Sequence, residues 1–201
     1  MKAAIMGYGT IGSGVYEVLD RNCKIVEKKA GEPIKVKYIL DLREFPGTPI
    51  EKLVIHDVKT IVDDPEIGIV VETMGGTTPA YEFVKSCLLA GKHVVTSNKA
   101  LVAAHGTELI RIAAEKNVSF LFEASVGGGI PIIRPLVECL GGEEIEEISG
   151  ILNGTTNYIL TKMNEEGWSF EEALKCAQEL GYAERNPEAD VEGYDTCRKI
   201  A

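Results

Sequence analysis

At 201 residues, with 45% hydrophobic and 26% charged side chains, the chain has the balance of a globular protein and room for one large domain or one and a half smaller ones. A formal net charge of −10 argues against nucleic acid and anionic membranes as main partners, since both would repel it. No stretch approaches the roughly 18 uncharged apolar residues of a membrane span. The five cysteines, Cys23, Cys87, Cys139, Cys176 and Cys197, are odd in number and lack C-x-x-C spacing, which speaks against a disulfide framework or a zinc site and for packed, reduced thiols.

Met1 and Lys2 lead straight into the apolar run Ala3-Ala4-Ile5-Met6, with no secretory leader, so the cytoplasm is the expected location. That run reads as a strand. Gly7-Tyr8-Gly9-Thr10-Ile11-Gly12-Ser13-Gly14 follows, and then Val15, Val18, Leu19 and Val26 fall near helical spacing. Gly31-Glu32-Pro33 breaks the pattern, and Ile34, Val36, Tyr38 and Leu40 alternate as a strand. A short strand is expected near Leu53-Val54-Ile55, a short helix over 57–64 ended by Pro65, and a buried strand over Ile67–Glu72. Thr78–Ala90 reads as a helix closed by Gly91, His93–Thr96 as a strand, Gly106–Lys116 as a helix and Val118–Phe122 as a strand. Strands and helices alternate throughout, which predicts a parallel, doubly wound sheet.

After Glu123 the character changes, and a domain boundary is expected near residue 125. Residues 126–131 read as a glycine-rich loop, Ile132–Leu140 as a helix, Ile145–Leu152 as a strand, and 154–165, 169–180 and 191 onward as helices. The predicted architecture is therefore a Rossmann-like α/β domain over 1–125 and an incomplete α+β domain over 126–201. Arg198-Lys199-Ile200-Ala201 sits inside an unfinished amphipathic helix, so the chain is expected to be a piece of a longer polypeptide.

Gly7, Gly9 and Gly12 form G-x-G-x-x-G between a predicted strand and a predicted helix. The first glycine permits the tight turn, the second lets the backbone approach a pyrophosphate, and the third lets helix and strand pack closely. The anion then meets the unpaired N–H groups and positive dipole end of the helix. This predicts dinucleotide binding. Asp41 is the candidate partner of a ribose 2′-OH, although it lies 29 positions past Gly12, and Arg43 and Lys52 could instead meet a 2′-phosphate. Asp41 also reads as a plain loop acid.

Two further segments carry candidate chemistry. Lys99, in Thr96-Ser97-Asn98-Lys99, follows a strand on the side where doubly wound sheets bind ligands. Glu184, Asp190, Asp195 and Lys199 cluster near the end, with Asp195 and Lys199 four apart on one helix face. By spacing alone, Lys99 is better explained as a surface lysine, and Asp195 with Lys199 as a surface ion pair. His56, His93 and His105 show no metal-ligand spacing, and Ser125 has no nucleophile-elbow context, which disfavours metalloenzyme and serine-hydrolase chemistry.

From residue 3 to 201 the chain resembles the homoserine dehydrogenases. The stretches that carry the resemblance are GYGTIGSG (7–14), TSNKALVA (96–103), EASVGGGIPII (123–133), GILNGTTNYILTKM (150–163) and AQELGYAERNPEADVEGYDTCRKIA (177–201). Glycine-loop dehydrogenases in general do not carry the last two blocks in this order. The resemblance implies NAD(P)-dependent interconversion of L-homoserine and L-aspartate 4-semialdehyde, on the route to threonine, methionine and isoleucine. It implies NADP or NAD held by Gly7, Gly9, Thr10, Ile11 and Gly12, with Thr73 near the nicotinamide ribose and Lys99 near nicotinamide and substrate. Glu184 would bind the substrate ammonium. Lys199 would donate and accept the proton, with Asp190 and Asp195 shaping its surroundings. Glu123, Val126, Gly128 and Ile130 match a monovalent-cation site, usually sodium, built largely from backbone carbonyls. The family is homodimeric or larger, and its members continue well past residue 201.

The residues present oppose two alternatives. A phosphorylating semialdehyde dehydrogenase needs a nucleophilic cysteine beside a histidine, and Cys87 and Cys139 sit instead in helical apolar patterns. A non-catalytic nucleotide sensor is opposed by the presence of every expected glycine and lysine.

Overall fold

The computed structural model describes residues 1–201 and forms two compact units, Met1–Val137 and Glu138–Ala201. The first unit holds strands β1 (Lys2–Met6), β2 (Lys35–Leu40), β3 (Val54–Ile55), β4 (Ile67–Glu72), β5 (His93–Thr96) and β6 (Phe120–Leu121). They make one fully parallel sheet in the order β3-β2-β1-β4-β5-β6. This is the doubly wound dinucleotide-binding order, in which the order of strand addition reverses between the first and fourth strands and a crevice opens at their carboxyl ends.

β1 lies at the centre and is apolar on both faces because both are covered. Ala4 and Met6 face a core shared with Val70, Val84, Leu88, Leu101 and Leu109, whereas Ile5 faces a second core with Ile39 and Ile50. The period of two in a strand sends alternate side chains to these two clusters. The covering helices are α1 (Thr10–Arg21), α2 (Cys23–Ala30), α3 (Lys59–Val62), α4 (Ala80–Leu89) and α5 (Lys99–Glu115).

The structure departs from the sequence-based expectation in several places. Helical spacing from Val15 to Val26 is interrupted at Asn22, whose N–H bonds the Val18 carbonyl and closes α1 before α2 begins. The helix expected from Gly106 starts at Lys99, because the Asn98 side chain caps it by accepting the Leu101 N–H at 3.1 Å. Lys92, 3% exposed, donates to the Asp64 carbonyl at 2.7 Å and the Ile67 carbonyl at 3.2 Å, a buried tie that no sequence pattern announced. The helix expected over Ile132–Leu140 forms over 133–139, but Pro135–Cys139 takes π geometry. Upstream of it, the Glu123 carboxylate accepts the N–H groups of Ile132, Ile133 and Arg134 at 2.5, 2.9 and 2.7 Å. That clasp holds residues 132–134 in the first unit, and the division between units falls beyond it.

In the second unit, α6 (Gly154–Glu166) and α7 (Phe170–Glu179) form a helical hairpin, followed by α8 (Glu188–Val191) and α9 (Tyr194–Ile200). Ala173, Ala177 and Ala183 close on Ile159, and Tyr158, Met163, Trp168 and Leu174 pack around them. Small residues at the centre let the helices approach. Gly167, at φ +70°, ends α6, and a capping box of Ser169 and Glu172 starts α7. Gly193, at φ +79°, separates α8 from α9, where one helix from 191 onward is expected. Ile145–Leu152 is not a strand. No strand lies beside it within residues 138–201, and a lone strand leaves its ladder groups to water.

Candidate functional site

The glycine turn after β1 is the first candidate region. Gly7 has φ +92°, a conformation that L side chains rarely adopt, and its N–H donates to the Leu40 carbonyl at 2.8 Å. A Cβ on Gly12 would lie 2.0 Å from the Gly7 carbonyl oxygen and 2.9 Å from Thr73 Oγ1, so only hydrogen fits there. A Cβ on Gly9 would meet nothing within 4 Å, so bare backbone faces open space at that point. Gly9 is also the N-cap of α1 and brings no side chain to cap it. A cradle closed by Gly7 and Gly12, open over Gly9 and set at an uncapped helix start fits a dinucleotide pyrophosphate.

Thr73, directly after β4, braces this turn. Its hydroxyl donates to the Gly7 carbonyl at 2.8 Å and reaches the Met6 carbonyl at 3.2 Å. Asp41, after β2, holds the turn from the other side. One carboxylate oxygen accepts the Tyr8 N–H at 2.7 Å and Arg43 Nη2 at 2.9 Å, and the other accepts Arg43 N and Nε at 3.0 and 2.9 Å. Arg43 also donates to the Tyr8 carbonyl at 2.8 Å. The Arg43 guanidinium holds the Asp41 carboxyl well below the usual carboxylate range, with the Tyr8 and Arg43 backbone N–H groups adding to the effect. Asp41 is thus more than a loop acid: it clamps the glycine turn.

Sequence reasoning missed Glu72. It is fully buried at the end of β4, and its carboxylate accepts Thr96 Oγ1 at 2.5 Å and the Met74 N–H at 2.7 Å. Asn98 joins this network, taking its own N–H to Thr96 Oγ1 at 2.9 Å and its Nδ2 to the Gly76 carbonyl at 2.6 Å. Glu72 thereby ties the Met74–Gly76 loop to the start of α5, where half-buried Lys99 is the first residue. Its only sequence signal is an acid ending an otherwise apolar strand.

Glu123 lies at the end of the first unit's chain path. Because its carboxylate accepts three backbone N–H groups, its pKa is lowered. Any cation held by Glu123, Val126, Gly128 and Ile130 would therefore meet carbonyl oxygens, with Gly128 at φ +60° turning the loop.

The second unit gathers a separate polar cluster. Lys199 lies 2.7 Å from Asp195, with side chains 17% and 6% exposed, so the two form a largely buried pair and not a surface one. Lys199 Nζ also donates to the Leu152 carbonyl at 2.8 Å. Asn153, 5% exposed and absent from the sequence-based candidates, donates through Nδ2 to Asp190 at 2.7 Å and Asp195 at 2.9 Å. Thr155 Oγ1 donates to the Tyr182 carbonyl at 2.7 Å, tying the start of α6 to the loop that carries exposed Glu184.

Both blocks of the chain match family models. Residues 7–123 match the NAD binding domain of homoserine dehydrogenase, and residues 131–201 match a further homoserine dehydrogenase domain. The chain belongs to the homoserine dehydrogenase family. It is 48% identical to the homoserine dehydrogenase of Synechocystis sp. and 44% identical to that of Pseudomonas aeruginosa, in each case over 100% of this chain but only 47% and 46% of the relative. A solved homoserine dehydrogenase from Thiobacillus denitrificans superposes with a TM-score of 0.89 at 43% identity, covering 100% of this chain and 47% of that one. A hyperthermophilic archaeal homoserine dehydrogenase solved in complex with NADPH has a TM-score of 0.85 at 30% identity, covering 98% of this chain and 66% of that one. The chain thus spans about half the length of the curated relatives it matches. No helix in it is long and apolar enough to cross a membrane.

Proposed function

We propose that the complete gene product containing this chain is an NAD(P)-dependent homoserine dehydrogenase that interconverts L-homoserine and L-aspartate 4-semialdehyde. The observation that carries this is the Lys199 ammonium, held by Asp195 and the Leu152 carbonyl, in a chain that also builds the dinucleotide-binding sheet.

Gly7, Gly9, Thr10, Ile11 and Gly12 hold the phosphates of NADP or NAD, and Thr73 keeps the turn in shape. Arg43, exposed beside the turn, would meet a 2′-phosphate through the guanidinium edge not turned to Asp41 and Tyr8. The nicotinamide, when bound, supplies or takes up the hydride. Lys199 protonates the carbonyl oxygen in the reducing direction, and its positive charge stabilises the developing alkoxide. In the oxidising direction the neutral amine takes that proton back. Glu184 pairs with the substrate ammonium by a charge-assisted bond. Lys99 orients cofactor and substrate. A lysine in the first turn of α5 opposes the helix dipole, an arrangement that fits an anionic ligand better than helix stability. Asp190 and Asp195 hold Lys199 in place. Glu123, Val126, Gly128 and Ile130 would hold a monovalent cation, Na+, which would steady that loop. Residues 1–125 serve the nucleotide and 126–201 the substrate. We place the enzyme in the cytoplasm, as a homodimer or larger, acting on small molecules and not on nucleic acid or membranes. The burial of Cys87, which pushes its thiol up to about 12, counts against thiol chemistry at that position.

The test is nicotinamide absorbance followed with homoserine and each of NAD and NADP, using the complete gene product. Lys199→Ala is expected to lower turnover by roughly 10²–10⁴-fold while leaving cofactor affinity nearly unchanged. Failure of the unsubstituted enzyme to reduce either cofactor in the presence of homoserine refutes the assignment.

A further inference from the structure

Asn153 makes more bonds than a helix cap needs. Its Oδ1 accepts the Thr156 N–H at 2.8 Å and the Thr156 hydroxyl at 2.9 Å, which is the whole capping function. Its Nδ2 has two N–H donors, and these go to two different carboxylates, Asp190 Oδ1 at 2.7 Å and Asp195 Oδ2 at 2.9 Å. Asp195 Oδ2 is the same oxygen that meets Lys199 Nζ at 2.7 Å. The residue before it, Leu152, accepts Lys199 Nζ through its carbonyl. The two partners of the Lys199 ammonium are thus both tied to the dipeptide Leu152-Asn153: the Leu152 carbonyl belongs to it, and Asp195 on α9 accepts from Asn153, which also reaches Asp190 on α8.

We propose that Asn153 is a positioning residue for Lys199: by donating to Asp190 and Asp195 together, it fixes their placement and sets how much negative charge acts on the ammonium. The inference rests on the proposed role of Lys199 as proton donor and acceptor. An N–H given to a carboxylate offsets part of its charge. Without it, Asp195 acts on Lys199 undiluted, the amine stays protonated to higher pH, and proton removal from homoserine is delayed to higher pH.

Two substitutions keep the cap oxygen and break the double donation, since a serine has one O–H donor and an ionised aspartate none. Asn153→Ser retains an N-cap of similar quality, and Asn153→Asp retains the cap while adding a third carboxylate. The first measurement is competitive acetylation of Lys199 in this chain across pH, read by mass spectrometry. The labelling midpoint is expected to move to higher pH by about one unit in Asn153→Ser and further in Asn153→Asp, the scale of a changed neighbouring charge. The second is homoserine oxidation by the complete gene product. There kcat is expected to fall by roughly 10–100-fold with the homoserine KM little changed, and the rising limb of turnover is expected to shift to higher pH. Labelling midpoints that coincide with the unsubstituted chain in both variants, or activity lost with an unmoved limb, overturn the proposal and leave Asn153 a helix cap only. An unsubstituted enzyme inactive on homoserine sinks the assigned reaction, and the acetylation midpoints still decide the role of Asn153.

Discussion

An alanine at position 12 would set its Cβ 2.0 Å from the Gly7 carbonyl, whereas one at position 9 would touch nothing within 4 Å. The two glycines are therefore separable by experiment. Gly12→Ala is expected to cost about 1–3 kcal/mol, the scale of overpacking, and to abolish nucleotide binding. Gly9→Ala is expected to leave stability nearly unchanged and weaken binding alone. Urea unfolding and calorimetric titration with NADPH and NADH check both, and equal stability losses in the two variants would contradict this account. The Asp41–Arg43 clamp makes a different kind of prediction. The Asp41 carboxyl is held below its ordinary range in the folded chain, so its contribution is complete above about pH 4 and is lost as pH falls toward the lowered value. Arg43→Ala returns the carboxyl toward its ordinary range. The acid-unfolding midpoint is then expected to move to higher pH, as followed by circular dichroism.

Among the elements, those with a complete local signal were legible in advance. Ile67–Glu72 and His93–Thr96 are the strands that apolar runs and their flanking breakers predict. The helix expected over 169–180 forms as α7, and the structure adds that Ser169 and Glu172 start it with both reciprocal bonds of a capping box. Ser169→Ala is expected to cost about 1 kcal/mol in urea unfolding, with a larger loss of amide protection in the first turn of α7 than elsewhere in the hairpin. Elements whose extent depends on partners were misjudged. The early start of α5 comes from Asn98, a residue that reads as loop until its side chain is seen turned back onto the Leu101 N–H. Ile145–Leu152 has strand-like letters but no neighbouring strand within residues 138–201, and β structure is a property of a pair.

At the scale of the whole molecule, Met1–Val137 has its own two-sided core and holds the entire glycine turn with its Asp41, Thr73 and Glu72 supports. As a separate polypeptide it is expected to unfold in one cooperative step and to bind NAD(P)H without help from the rest of the chain. A fragment of residues 1–137 that folds but binds no nucleotide would show that the turn alone is insufficient. Glu138–Ala201 has a much smaller core, centred on Ile159 and three alanines, and its polar cluster is buried: Asp195, Asn153 and Thr155 are all nearly inaccessible.

From letters alone came the period of the strands, the glycine spacing of the dinucleotide turn, and the four-residue separation of Asp195 and Lys199, because each is a regularity along the chain. Only the folded structure decided that Asp41 is a clamp, that Glu72 joins the ends of two strands, and that Asn153 spans two carboxylates. Those bonds join residues tens of positions apart. A hydrogen bond of that kind depends on where folding carries its two ends, and no local pattern records it.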